Sequence, residues 1–213
     1  MLNNPADLLS IVLGGTLGRS GRKRARKATK FLTGHKGFLS TSAIIGAAGV
    51  AWGIYDTLKN QNQGVQGAPG AYGATAISST PVPPIRAAVE AAIDPVVRII
   101  RLAVSAAKAD GQLTDAERQM ISYRAREAGV ESLVDAELAQ SRPLAEIDRG
   151  VTDPAEKNDL YVLAFAIVRA DENVSGAERI YLAQLAHQLG LDPAAVQKLE
   201  ADTAAKIDAQ SEN

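Results

Sequence analysis

The chain contains no cysteine, so disulfides, thiolate metal sites and cysteine nucleophiles are all excluded. Aromatic residues make up only 4% of it, against 46% hydrophobic residues overall. That balance favours closely packed helices over a β-sandwich rich in Tyr and Trp. There are two histidines, His35 and His187. They are too far apart to form an H-E-x-x-H helix site, and no P-loop or G-x-S-x-G turn occurs. His35 lies among basic residues as a solvated side chain, and His187 reads as a packed or surface residue rather than a ligand. The opening "MLNNPADLLSIVLGGTLG" lacks a basic n-region and is a poor secretory signal. Its Leu8, Leu9, Ile11, Val12 and Leu13 suit a short apolar helix before Gly14-Gly15.

Charge is also missing where it would be expected. Residues 61–84 carry none at all. The net charge of -1 divides into a balance of +7 over residues 1–60 and -8 over residues 85–213. Such asymmetry implies different surroundings for the two parts, with an anionic membrane face or nucleic acid as the partner class for the basic one. Its basic stretch has little aromatic interleaving for base stacking, and the acidic part repels phosphate. Nucleic acid is therefore the poorer fit and anionic lipid the better.

Four segments follow. Residues 1–36 are an apolar helix and a basic arm, with eight basic residues and no acid between Arg19 and Lys36. Residues 37–56 are a candidate transmembrane helix. "GFLSTSAIIGAAGVAWGIY" runs nineteen residues without a charge, roughly 28 Å as a helix against a ~30 Å hydrocarbon core. Gly46, Gly49 and Gly53 share one helix face, a small-residue surface suited to association between copies in lipid. Trp52 and Tyr55 suit the interface. Residues 57–84 form a Gly/Gln/Ser/Pro linker. Residues 85–213 carry helical punctuation. Asp94-Pro95, Asp153-Pro154 and Asp192-Pro193 each set an N-cap before a first-turn proline. Gly129 and Gly190 stand where helices end. The spacing predicts six to eight helices and no strand, an all-α class.

The chain also repeats itself. "ADGQLTDAER" (109–118) returns as "ADENVSGAER" (170–179), offset by 61 residues. Thr114 with Glu117, and Ser175 with Glu178, have the spacing of capping boxes. Two helix–loop–helix units related by a pseudo-twofold would bury each other's apolar faces. If the two turns meet, Asp110, Glu117, Asp171 and Glu178 converge. Four carboxylates repel unless a cation or a basic side chain neutralises them; Ca²⁺, Mg²⁺ or Mn²⁺ suits oxygen ligands, and Arg118 and Arg179 are the basic alternative. The loop is not an EF-hand, because Asp115 stands where that loop needs Gly and Ile121 where it needs Glu.

"KADGQLTDAERQMI" and "RADENVSGAERIYL" resemble the paired motifs of the tellurite-resistance TerB-like domain. The likeness covers residues 85–200, and the layout is similar to that of bacterial inner-membrane proteins with a glycine-rich membrane segment. The resemblance implies an all-helical, internally pseudo-symmetric domain with a cation-binding acidic surface and no established catalysis. Glu172, where the family often has Gly, breaks the equivalence of the halves. The expectation is a single-pass inner-membrane protein, amino terminus in the cytoplasm. Its TerB-like domain faces the periplasm and binds a divalent cation or a protein partner, in envelope or metal stress. The alternatives are a metal-dependent hydrolase using the same carboxylates and a structural membrane organiser.

Overall fold

In a computed structural model the described residues are 23–33, Phe38, 97–111, 113–127, 129–140, 142–170 and 174–210. They are all-helical, with no strand among them. In chain order the helices are α1 (Lys23–Thr33), α2 (97–107), α3 (Asp115–Glu127), α4 (Glu131–Ala139), α5 (Leu144–Ile147), α6 (Pro154–Arg169), α7 (Gly176–Leu189) and α8 (Pro193–Asp208). Two of the three Asp-Pro starts are described, and both form as the sequence predicts. Asp153 accepts from the Ala155 amide at 3.0 Å, and Asp192 from the Ala195 amide at 2.9 Å. Each satisfies a first-turn donor that the helix itself cannot. α7 stops at Gly190, whose φ of 69° is left-handed; that conformation lets its amide reach back to Ala186 and His187. Asp94-Pro95 lies outside the described residues.

Helix α6 is the axis of the bundle. Leu160 through Val168 are nine successive buried residues, so no face of that stretch meets water. α1, α7 and α8 pack against it. α2 is buried nearly as fully, through Ile99, Ile100, Leu102, Ala103, Val104, Ala106 and Ala107.

The basic stretch contributes to the same core. Ala25, Ala28, Phe31 and Leu32 make one buried stripe along α1, at the three- and four-residue spacing of a helix face. That stripe packs on α6 and α8, and Phe31 stacks on Phe38 with ring centroids 5.7 Å apart. Lys27 Nζ donates to the Asp208 carbonyl at 3.1 Å, placing a cation at the negative end of α8.

The placement in an inner membrane is corrected. No helix among the described residues is long and apolar enough to cross a membrane. The longest, α6 and α8, have 16 residues each, about 24 Å of helix against a ~30 Å core. The orientation and the periplasmic domain depended on that span and go with it. The run 37–55 lies outside the described residues apart from Phe38. Gly46, Gly49 and Gly53 are likewise outside them.

Arg98, 8% exposed, ties α2 to the start of α6. Its Nη1 donates to Glu156 at 2.7 Å, its Nε to the Ile147 carbonyl at 3.2 Å and its Nη2 to the Arg149 carbonyl at 3.1 Å. Removing one partner of a buried pair strands the other and the carbonyls it served. Arg98→Ala should therefore lose about 3–5 kcal/mol, seen as a lower urea midpoint at unchanged slope. A loss within experimental error would mean that α5 and the loop behind it are held by packing alone.

Candidate functional site

The repeated motif resolves first into helix starts. In α3, Glu117 Oε2 accepts from the Thr114 amide at 2.8 Å and from its hydroxyl at 2.9 Å, while the Glu117 amide donates to Thr114 Oγ1 at 3.3 Å. In α7, Glu178 Oε2 accepts from the Ser175 amide at 2.7 Å, and the Glu178 amide donates to Ser175 Oγ at 3.1 Å. Both are reciprocal capping boxes. Glu117 is half-buried, whereas Glu178 is 2% exposed. Asp110 sits in the turn after α2, before Gly111, whose φ is 72°. Asp171 lies outside the described residues. Among those described, no three acidic or imidazole side chains gather as a metal site. The structure thus brings each Glu to its own cap hydroxyl and does not bring Asp110, Glu117 and Glu178 together.

A different feature stands beside the first repeat. A cleft of about 270 Å³ opens between α2, α4, α5 and α7. Arg101, Lys108 and Arg142 line it with Glu137, over an apolar wall that includes Val104, Leu144 and Ile147. Glu137, 4% exposed, uses one oxygen for two guanidiniums. Arg101 Nε lies 3.1 Å and Arg142 Nε 2.7 Å from the same Oε1. This contact holds Arg142 above its ordinary pKa, through the hydrogen bond first and then the charge. Glu146 adds to it, 3.5 Å from Arg142 Nη1.

Lys108 closes the end of α4. Its ammonium donates to the carbonyls of Glu137 and Leu138 at 3.1 Å and of Gln140 at 3.3 Å. These are carbonyls that a helix end leaves unpaired, at the negative end of the dipole. Burial lowers the Lys108 pKa, as does the nearby charge of Arg118, and Glu137 partly offsets both.

Tyr181 lines the cleft from α7. Part of the residue is exposed, but its hydroxyl is buried without a hydrogen-bond partner. Burial raises its pKa; Ser105 acts in the opposite direction without meeting hydrogen-bond geometry. The phenol is therefore neutral, and among the described residues no well-formed hydrogen bond offsets the cost of burying its hydroxyl.

Sequence reasoning named none of these cleft residues. One signal was present: the quoted repeats begin with Lys108 and Arg169, cations at the same 61-residue offset. Arg169 also reaches the end of the second helix of its half, but by a side-chain ion pair, its Nη2 lying 2.9 Å from Asp208 Oδ2 of α8.

Two outcomes follow from this chemistry. Ser175→Ala should cost about 1–2 kcal/mol and Thr114→Ala about 0.5–1 kcal/mol, because the second box is shorter and more buried. Thermal melts of both would show it, and equal losses would contradict the ranking. Tyr181→Phe should leave stability unchanged or raise it by roughly 1 kcal/mol, since it removes an unsatisfied buried hydroxyl. A clear loss would mean that the hydroxyl is bonded in solution.

The chain matches no solved structure. It is 33% identical over 96 residues to the "Uncharacterized protein in ampR 5'region" of Yersinia enterocolitica, covering 43% of this chain and 67% of that protein. A far larger share is matched at family level: residues 5–203 fit the family described as "Protein of unknown function (DUF533)", and the chain belongs to that family.

Proposed function

We propose that the chain is a ligand-binding module and that the cleft between α2, α4, α5 and α7 is its anion site. The observation that carries this reading is the convergence of Arg101, Lys108 and Arg142 on a cleft whose described lining has one carboxylate, Glu137, already bonded to both arginines. Concave sites with an apolar wall and a few placed charges are where small ligands bind. A cation site built from the repeated acids has less support. Glu117 and Glu178 already accept their cap residues' amides, and a metal would have to compete for them. A metal-dependent hydrolase on those acids has the same weakness and further needs a base and an open ligand position. The likeness to TerB-like domains fits a binding role and names no ligand.

The test is a thermal melt of the full chain in chloride, acetate, phosphate, sulfate and citrate at equal ionic strength. Sulfate and phosphate stabilise folded chains generally, so each anion is compared between the unaltered protein and Gln184→Glu. Gln184 is an exposed lining residue on α7, and the variant sets a negative charge at the cleft. A site-binding anion at a hundred times its Kd adds about 2.7 kcal/mol, a rise of several degrees that the variant should lose. Identical anion responses in the two proteins would sink the proposal.

A further inference from the structure

The geometry points to an organic carboxylate with a short apolar stem as the ligand of the cleft, held by the outer edges of Arg101 and Arg142; this rests on the anion-site reading above. The donors that remain open decide the class. Lys108 is spent, because an ammonium has three N–H bonds and three carbonyls take them. It contributes field and not bonds. Arg101 and Arg142 both meet Glu137 through Nε, and among the described residues no partner takes the terminal nitrogens of Arg101. Of the terminal nitrogens of Arg142, Nη1 alone meets a partner among the described residues, Glu146 at 3.5 Å. Both arginine side chains stay accessible, at 27% and 31%.

A guanidinium edge offers two parallel N–H bonds, which match the two oxygens of a planar carboxylate. A phosphate ester brings a third strong acceptor oxygen and more charge, and with the lysine spent it finds fewer open donors for that oxygen. The formal balance agrees: three cations face Glu137 in the lining and Glu146 beside it, an excess that one negative charge neutralises. Val104, Leu144 and Ile147 give an aliphatic stem somewhere dry to lie. The volume, about 270 Å³, lies below the ~300–1,000 Å³ of pockets that hold drug-sized ligands. It admits a small acid or the end of a chain, not a nucleotide cofactor.

That chemistry has two sources, a free aliphatic acid or the carboxyl terminus of a peptide. Isothermal titration of the full chain separates them with five probes: 4-methylpentanoate, its neutral amide, methyl phosphate, and a Leu-terminated pentapeptide in free-acid and amidated forms. The expected result is saturable binding of 4-methylpentanoate, the free-acid peptide or both, at least tenfold weaker binding of the amides and of methyl phosphate, and at least a tenfold loss in Gln184→Glu. Arg101→Lys retains the charge without the guanidinium edge and should also weaken the carboxylate at least tenfold; thermal melts of both variants confirm that they are folded. The tighter of the two acids identifies the source. Methyl phosphate binding while neither acid binds would overturn the carboxylate assignment and leave the anion site standing. Heat from none of the probes overturns both. Carboxylate binding untouched by Gln184→Glu and Arg101→Lys places the ligand elsewhere and overturns the site.

Discussion

A helix buried on every side leaves its neighbours little choice, and α6 is such a helix from Leu160 to Val168. Each fully buried Leu or Ile there adds about 1.5–3 kcal/mol only if some element covers it. α1 supplies part of that cover, which explains why a segment dense in Lys and Arg also carries Ala25, Ala28, Phe31 and Leu32 at helical spacing. The same constraint governs the polar group that α6 brings inside. Tyr161 is 1% exposed, and its hydroxyl donates to Glu200 of α8 at 2.6 Å. Burial, and then Glu200, push its pKa upward, keeping the phenol protonated as the donor that this bond requires.

Repetition supplies the second principle. The offset of 61 residues maps α3 onto α7 and the start of α8 onto α4. In each half a cation ahead of the motif reaches the end of the second helix, Lys108 at α4 and Arg169 at α8. The halves then diverge. α8 runs on to Asp208, whereas α4 stops at Ala139 and the chain turns through Arg142 into the short α5. The early stop brings the α4 carbonyls under Lys108 and sets Arg142 over Glu137. The cleft of the first half is thus a consequence of one helix being shorter than its repeat.

What the sequence disclosed follows the range of the interactions concerned. The two described Asp-Pro starts, at Asp153 and Asp192, both capping boxes and the glycine stop at Gly190 are local, each decided within a few residues, and each appears as the spacing predicted. The burial of α1 was not legible. Its stripe was present in "KRARKATKFLT", but the surface receiving it lies on α6 and α8, more than a hundred residues away. The same holds for the cleft. Arg101, Glu137 and Arg142 are ordinary helix and loop charges until three elements fold together. The Glu residues of the motif repeat with the capping boxes they complete, and repetition of a capping box needs no ligand to explain it.

Range also reconciles a positive cleft with a region whose balance is -8 over residues 85–213. At physiological ionic strength exposed charges are screened beyond about 8 Å. A small anion entering between Arg101 and Arg142 responds chiefly to the charges lining the cleft. On the proposed reading, the local cations prevail near the cleft over more distant acids. A compact acid is the ligand that the proposed anion site would favour. The apolar wall beside the guanidiniums sharpens that preference, since a bare inorganic ion gains nothing from Leu144 and Ile147 while an aliphatic stem buries surface there at about 25 cal/mol per Å².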